Sequence, residues 1–429
     1  MKSMARKTII VIASRYLIRF VQLAYFILLA RALSPEGFGS YGIITASVFL
    51  MGVIGNLGLR QAAVQLVGKG SISDGQAALT SLMVLPLLTV GCCLSVWWFN
   101  EGQISAFSAA ERWAIWLSVA CVLCISLMQG IFLGRGQTSL FAGADAGPRL
   151  LQAALVFALW LTNNLNLVTA LVTFALGYAV FIPWVLLKTF RGADIRRPSP
   201  TEFYRMIRIG LVYAISLFLI SLQGRVGLFF LDGAGKDAQI GNFFAAQRAT
   251  EIFLDVATAA AVVLFSETAR AADPQANFRV AVRTAVGIFV MFLLAGVVMA
   301  VAAPLMVNIA LGAAYVDAKV PLIILSLGLA PAAVTRVMNS VLSGMGKPWL
   351  SGGIAGLGVV ANILVCALAV PRWGAVGASI GLVSGQIIAC ISYAVICRKM
   401  FGIGMADAVP DFSGAIRKLK KRVSSRQRS

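Results

Sequence analysis

Eight ionisable side chains lie inside long apolar stretches of this 429-residue sequence. If those stretches span a membrane, each charge costs about 2.5–3.5 kcal/mol to insert, so each needs a partner or a function. Six of the eight are arginines, whose planar guanidinium donates paired hydrogen bonds to phosphate or carboxylate groups. The set therefore predicts a site that binds an anion and repels a cation; its members are Arg15, Arg19, Arg60, Arg225, Arg248, Arg336, Glu251 and Asp255.

The spacing of these residues places several of them on shared helix faces. Arg15 and Arg19 are four residues apart, and Arg248 and Glu251 are three apart, so each pair lies on one face. We expect Arg248 to pair with Glu251. Asp255 lies a further turn along, and two roles remain open for it. It could take up a proton or Na⁺ as a coupling ion. Alternatively, it could pair with an arginine in the other half of the chain and so gate access from the inner side of the membrane.

The composition indicates that most of the chain is surrounded by lipid rather than water. Hydrophobic residues make up 59% of the sequence and charged residues only 12%, against about 25% charged in a soluble domain. The apolar stretches are continuous rather than alternating, which favours helices over a β-barrel. The sequence thus predicts an all-α polytopic membrane protein with twelve transmembrane helices, near residues 9–30, 42–66, 77–98, 113–133, 146–163, 167–188, 209–231, 240–266, 282–309, 321–343, 351–370 and 376–397.

Basic residues divide unequally between the two sides of these spans. When span-rim residues such as Arg149 are assigned to loops, one side holds 25 Lys and Arg residues and the other only five. This asymmetry places both termini in the cytoplasm and the protein in the cytoplasmic membrane. Residues 189–208 form a basic cytoplasmic linker. Residues 401–429 form a polybasic tail, which we expect to contact anionic phospholipid rather than nucleic acid, since no aromatic residue follows Phe412.

Several kinds of chemistry are excluded by residue type. The chain contains no histidine, which removes histidine-based catalysis and metal binding. Its seven cysteines all lie in apolar stretches, where they act as small packing residues. We expect no catalytic residue, no metal and no cofactor apart from a possible H⁺ or Na⁺ coupling ion. The protein is therefore not expected to be an enzyme.

An internal repeat divides the chain into two lobes. Residues 128–137 (MQGIFLGRGQ) align with 338–347 (MNSVLSGMGK) at an offset of 210, and residues 38–41 (FGSY) align with 240–243 (IGNF) at an offset of 202. Each half has six spans, so the repeat is parallel and its axis runs along the membrane normal. The predicted lobes are residues 1–188 and 209–400, with substrate between them.

The motifs resemble the oligosaccharide (O-antigen and polysaccharide) flippases of the MOP (multidrug/oligosaccharidyl-lipid/polysaccharide) exporter superfamily. The resemblance runs from about residue 8 to 400 and rests on the order of its motifs. They are residues 26–42 (FILLARALSPEGFGSYG), 55–62 (GNLGLRQA), 344–348 (GMGKP), Asn362 and 371–378 (PRWGAVGA).

This resemblance implies a carrier that moves undecaprenyl-pyrophosphate-linked oligosaccharide across the membrane by alternating access. Helices 1, 2, 7 and 8 of such proteins line a cationic cavity, which implies substrate binding by Arg15, Arg19, Arg60, Arg225 and Arg248. Glu251 and Asp255 would then couple or gate transport. Other membrane proteins of polysaccharide assembly are further partners that this interpretation allows. Two alternatives stay open, a drug/cation antiporter of the same fold and a membrane-embedded polysaccharide polymerase or glycosyltransferase.

Overall fold

The regular structure of the chain is helical. The computed structural model describes residues 21–105, 107–270, 274–345 and 347–402 and contains no strand within those ranges, which confirms the predicted all-α class. The N-terminal lobe consists of α1 (Val21–Ala32), α2 (Pro35–Ile54), α3 (Leu59–Gly68), α4 (Asp74–Phe99), α5 (Glu101–Ile104), α6 (Ala109–Gly134), α7 (Thr138–Leu161), α8 (Leu167–Ala179) and α9 (Phe181–Phe190).

The C-terminal lobe continues the same architecture. Its helices are α10 (Pro200–Gln223), α11 (Val226–Gly233), α12 (Asp237–Arg270), α13 (Pro274–Met306), α14 (Lys319–Leu327), α15 (Leu329–Gly344), α16 (Pro348–Trp373) and α17 (Ala375–Phe401). Between α13 and α14 lie a turn of π-helix, Val307–Leu311, and a 3₁₀-helix, Ala313–Ala318. The π-helix follows Pro304, whose missing N–H interrupts the helical hydrogen bonds of α13.

The described helices are those of a multi-pass membrane protein. Eight helical segments are long and apolar enough to cross a membrane, and α14 with α15, bent by 49°, forms a ninth. The other predicted spans are α1, α7 and α12. The last two are 24 and 34 residues long but carry charged residues along their length. The helix order agrees with the twelve predicted spans.

Predicted spans 2 and 7 are each interrupted by a break between two helices. Span 2 breaks between α2 and α3, where Leu57 and Gly58 have positive φ angles of 45° and 67°. At Gly58 a side chain would overlap the carbonyl oxygen of Gly210 on α10, so glycine allows the two backbones to approach. Span 7 breaks between α10 and α11 at Gly224 and Arg225, the residues that lie between the two helices.

Part of the predicted linker, residues 189–208, is helical, because α9 extends to Phe190 and α10 begins at Pro200, capped by the side chain of Ser199. The segment 191–199 is tied to the N-terminal lobe by a hydrogen bond from the Ser73 hydroxyl to the Asp194 carbonyl, 3.1 Å long. The Asp194 backbone N–H also donates to Oδ1 of Asp74 at 3.4 Å, and Arg135 holds the Asp74 carboxylate at 2.7 Å. The linker therefore extends along the predicted cytoplasmic face.

The two lobes meet closely at the predicted outer ends of α2 and α12. A Cβ atom on Gly39 would lie 2.6 Å from the Asp237 carbonyl oxygen, and one on Gly241 would overlap the Pro35 carbonyl oxygen. The 202-residue offset of the repeat relates these two contacts, since it pairs Gly39 with Gly241 and Pro35 with Asp237. Such reciprocal contacts are expected beside a two-fold axis.

Aromatic rings surround this crossing. The Phe38 ring lies 5.0 Å from Phe26, 5.3 Å from Phe244 and 5.9 Å from Tyr315, measured between centroids. All four rings are buried. We call Phe26, Phe38, Gly39, Gly241, Phe244 and Tyr315 the outer seal. It closes the space between the lobes on one side of the membrane.

Candidate functional site: a central cavity between the lobes

A cavity of about 690 Å³ lies between the lobes. Helices α1, α2, α7 and α8 contribute one wall, and α10, α12, α15, α16 and α17 contribute most of the other. Phe26 and Phe244 of the outer seal also line the cavity, so the seal is its roof. The described lining includes four arginines and two carboxylates, namely Arg149, Arg225, Arg248, Arg336, Glu251 and Asp255.

In the cavity wall of the C-terminal lobe, two arginines form ion pairs with one carboxylate. The Nη1 atom of Arg248 donates to Oε2 of Glu251 at 2.7 Å, which confirms the predicted pair. Arg225, at the break between α10 and α11, places Nη1 3.9 Å from the other Glu251 oxygen. The three side chains are 19–29% exposed. One carboxylate thus faces two guanidinium groups, and the cluster carries excess positive charge.

Each arginine of this cluster is also positioned by its surroundings. The Arg248 guanidinium lies over the Phe244 ring, 5.0 Å from its centroid, a cation–π contact that fixes its plane. The buried Nε atom of Arg225 has no hydrogen-bond partner among the described residues. Arg225 therefore retains hydrogen-bonding capacity.

Arg336 and Asp255 lie on the same wall. Arg336 donates from Nη1 to the Thr258 hydroxyl at 3.0 Å, which links α15 to α12. Asp255 lines the cavity one helical turn beyond Glu251. The structure thus brings five of the eight predicted residues, Arg225, Arg248, Glu251, Asp255 and Arg336, to one cavity.

Arg149 is a cavity residue that the sequence analysis assigned to the cytoplasmic rim. That assignment is wrong, because α7 begins at Thr138 rather than near residue 146. Arg149 therefore lies about 16 Å along the helix, where it pairs with Asp145 at 3.1 Å. Asp145 is a further acid within a span. With Arg149 inside its span, the two sides of the membrane hold 24 and five Lys and Arg residues.

The glycines of α7 explain this error. The apolar run that predicts span 5 begins only after Asp145, and Gly143 and Gly147 are weak helix formers that do not indicate a helix before it. In the structure, a side chain at Gly147 would overlap the Phe181 ring, and one at Gly143 would lie 3.0 Å from Trp184. These glycines allow α9 to approach α7. The continued helix brings Arg149 into the interior.

Arg60 lies elsewhere. Its guanidinium lies over the Phe141 ring, 5.5 Å from the centroid, between α3 and α7, and it is not among the described cavity-lining residues. The break at Gly58 separates Arg60 from the helix that lines the cavity, so one continuous helical periodicity does not relate them. Arg15 and Arg19 lie outside the described residues, and their role stays a prediction.

The cavity provides features that suit a large anion: arginines that outnumber carboxylates, and hydroxyl and amide groups between them. Within the described residues, no group of three Cys, Asp or Glu side chains is placed to hold a metal ion. A two-lobed helical membrane protein with a cavity between its lobes that is lined by charged residues has the architecture of a membrane transporter.

Several solved structures share this fold. An inward closed structure of the lipid II flippase MurJ shares 14% identity, with a TM-score of 0.75 and coverage of 91% of this chain and 88% of MurJ. An inward-facing multidrug resistance transporter of the MATE family, in the MOP superfamily, shares 17% identity, with a TM-score of 0.69 and coverage of 90% and 94%. A MOP superfamily transporter from Pyrococcus furiosus, described by the reverse polarity of its binding pocket, shares 15% identity, with a TM-score of 0.62 and coverage of 91% and 93%.

The sequence itself identifies the family. The model of the family described as polysaccharide biosynthesis protein matches residues 4–270, more than half of the chain. The protein therefore belongs to the polysaccharide biosynthesis protein family of the MOP superfamily. A search of curated proteins finds no match.

Proposed function

We propose that the protein translocates undecaprenyl-pyrophosphate-linked oligosaccharide from the inner to the outer leaflet of the cytoplasmic membrane, for the synthesis of a surface polysaccharide. The observation that carries the proposal is the pair Arg225 and Arg248 on the single carboxylate of Glu251. Two guanidinium groups at such a position match the two phosphates of a pyrophosphate, each of which accepts paired hydrogen bonds. Membership of a polysaccharide biosynthesis family supports the same substrate class.

The cost of burying charge explains why the ligand should be anionic. An arginine whose charge is not balanced is destabilising inside a membrane protein, and an anionic ligand removes that penalty when it binds. A multivalent anion gains from several guanidinium groups at once. A cationic drug would meet repulsion from the same four arginines, which favours the flippase over the antiporter.

The outer seal gives this mechanism its direction. With Gly39 packed at Gly241, the cavity is closed on the predicted outer side. The lipid-linked sugar would enter from the cytoplasmic side, with its prenyl chain left in the bilayer and its pyrophosphate at Arg225 and Arg248. Rocking of the lobes then opens the seal and releases the headgroup outward. Arg15 and Arg19 are proposed to receive the pyrophosphate first, and Glu251 or Asp255 to couple or gate the change.

The proposal extends to the setting of the protein. We place both termini in the cytoplasm on the basic-residue asymmetry. The basic tail, residues 403–429 of which lie outside the described residues, is proposed to contact anionic phospholipid. Membrane proteins that build or polymerise the same glycan are proposed partners.

The direct test is translocation by the purified protein. Proteoliposomes containing undecaprenyl pyrophosphate with a fluorescent oligosaccharide should expose the sugar to an external glycosidase only when the active protein is present. A strain that lacks the protein should accumulate radiolabelled lipid-linked sugar on its inner leaflet. Transport of a cationic drug in these vesicles, with no movement of the lipid-linked sugar, would overturn the proposal in favour of the antiporter.

A further inference from the structure

The two walls of the cavity differ in chemistry. In the C-terminal lobe the described lining holds Arg225, Arg248, Glu251, Asp255 and Arg336, with amide and hydroxyl side chains between them. In the N-terminal lobe it holds one arginine and six aromatic rings: Tyr25, Phe26, Tyr41, Phe49, Phe174 and Tyr178. One side of the cavity thus presents charge, and the other presents ring faces and phenol groups.

Three of the aromatic residues form a packed group. The Phe174 ring lies 5.5 Å from Phe49 and 5.3 Å from Tyr178, and Phe49 lies 6.3 Å from Tyr178, all in edge-to-face geometry. Phe174 and Tyr178 are buried, whereas Phe49 is half-buried. The two buried rings hold Phe49 at the cavity surface as a rigid apolar plane.

A buried hydrogen bond fixes the neighbouring tyrosines. Gln152 donates from Nε2 to the Tyr41 hydroxyl at 2.8 Å, and these two side chains are only 2% and 3% exposed. Tyr25 lies beside Tyr41 and is half-buried. Tyr41 and Gln152 are therefore positioning residues, and Tyr25 is the most exposed of the three phenols that line this wall.

The N-terminal wall carries little net charge, because Asp145 compensates its single arginine. The two side chains pair at 3.1 Å, with Arg149 30% exposed. A wall of this kind does not select an anion. Its partly exposed groups are an aromatic plane, a phenol and a guanidinium held by a carboxylate.

This combination matches the surface of a pyranose ring. A sugar ring has an apolar face of C–H groups, which packs on an aromatic plane, and a rim of hydroxyls, which need hydrogen-bonding groups beside that plane. We infer that Tyr25, Phe49 and Arg149 form a carbohydrate subsite for an uncharged pyranose, opposite the arginines that hold the pyrophosphate. The inference rests on the proposed function and assigns the sugar to one lobe and the phosphates to the other.

The internal repeat gives independent support to this division. The 202-residue offset pairs Phe49 on α2 with Glu251 on α12, and both residues line the cavity. Equivalent positions of the two lobes thus present an aromatic ring on one side and a carboxylate bound to two arginines on the other. The ligand that fits is asymmetric, with an apolar-faced part and an anionic part.

The test compares two lipids that differ only in the sugar. The purified full-length protein is titrated with bare undecaprenyl pyrophosphate and with undecaprenyl pyrophosphate that carries one uncharged hexose or N-acetylhexosamine. In Phe49→Leu, which keeps side-chain bulk and removes the ring, affinity for the glycosylated lipid should fall about tenfold. Affinity for the bare lipid should not change. Phe49→Tyr should bind like the native protein, and Tyr25→Phe should show a smaller loss confined to the glycosylated lipid.

The outcomes separate this inference from the proposed function. If Phe49→Leu weakens both lipids equally, or neither, the carbohydrate subsite is overturned while pyrophosphate binding stands. If the native protein binds neither lipid, the proposed function fails and the subsite fails with it. Melting temperatures of the Phe49 variants identify any general loss of folding, and in that case Phe49→Tyr and Tyr25→Phe carry the comparison.

Discussion

The outer seal and the cavity are neighbouring parts of one interface between the lobes, yet the glycine contact of the seal keeps the symmetry of the repeat and the cavity walls do not. At the seal, equivalent residues touch each other, Gly39 against Gly241. In the cavity, equivalent residues differ, since Phe49 corresponds to Glu251 and Ala46 to Arg248. A seal needs only self-complementary backbones, so both copies can stay alike. A cavity for an asymmetric ligand favours divergence of its walls.

The largest effect is expected where the seal admits no side chain. In Gly241→Ala the new Cβ would overlap the Pro35 carbonyl oxygen, and such overpacking costs about 3 kcal/mol. The sealed state should become about 100-fold less favourable, and translocation should stop. The measurement is labelling from outside by an impermeant maleimide, at a cysteine placed at Gln247 in a background without the seven native cysteines.

The matched control for this variant is Gly91→Ala, because a Cβ at Gly91 meets no atom within 4 Å. It should leave labelling and translocation unchanged. Normal translocation by Gly241→Ala would show that the lobes need not close at this crossing.

In the cavity, the corresponding test removes a guanidinium. Arg248→Ala or Arg225→Ala should lower affinity for undecaprenyl pyrophosphate by one to two orders of magnitude, since a hydrogen bond to a charged group contributes about 1.5–3 kcal/mol. The lysine variants should recover only part of this loss, because an ammonium group lacks the bidentate geometry. Binding is measured on detergent-purified protein.

Arg191→Ala is the control for these variants, because Arg191 is exposed on the linker, away from the cavity lining. Equal losses for Arg191→Ala and Arg248→Ala would mean that net charge, rather than the cavity, governs binding. Unchanged affinity in both cavity variants would remove the pyrophosphate from this wall.

The contrast between seal and cavity also explains what the sequence could reveal. Span positions follow from hydropathy, which depends on many residues and tolerates local error. The position of the seal can also be found from the sequence, because residues 38–41 match residues 240–243. Its meaning as a contact required the structure.

The cavity was harder to predict, because its residues depend on where helices begin and break. The sequence places Arg149 at a span end because the apolar run begins only after Asp145, whereas α7 begins at Thr138 and its Gly147 admits the Phe181 ring. Arg60 was grouped with the other arginines because the break at Gly58 was not foreseen. Packing between helices decides both cases, and no local pattern encodes it. The aromatic trio on Phe174 could have been suspected only from the four-residue spacing of Phe174 and Tyr178.

A third prediction asks which acid senses the gradient. Asp255 lines the cavity one helical turn from Glu251, and coupling and gating are both open roles for it. Asp255→Asn should remove the stimulation of translocation by a proton or sodium gradient, measured in proteoliposomes with each gradient imposed in turn. If Asp255 acts as a gate, translocation in Asp255→Asn should still depend on the gradient. A double variant in which Asp255 and the arginine that pairs with it are exchanged should then restore activity. A native protein that ignores both gradients would exclude coupling.

A smaller effect is expected from the carboxylate between the arginines. Glu251→Gln keeps the side-chain shape and removes the negative charge, which leaves Arg225 and Arg248 available to the ligand. Pyrophosphate affinity should rise about fivefold, on the order of 1 kcal/mol, while translocation slows because release becomes limiting. Weaker binding would show instead that Glu251 is needed mainly to position the two guanidinium groups.

The smallest effect returns to the rim of the seal, at Arg31. This side chain crosses between the lobes, donating from Nε to the Ala310 carbonyl at 2.8 Å and from Nη2 to the Ile309 carbonyl. Both acceptors lie in the π-helix that ends α13, where a positive charge is favoured by the helix dipole. Arg31 is exposed, so solvent competes for these bonds and their contribution is modest. Arg31→Ala should therefore raise outside labelling at position 247 about two- to fivefold, equivalent to roughly 0.5–1 kcal/mol.

Arg112→Ala is the control for Arg31→Ala, since Arg112 lies on the same predicted face but donates within its own lobe, to the Phe107 carbonyl at 2.8 Å. Equal labelling in the two variants would show that this contact between the lobes does not hold the seal closed.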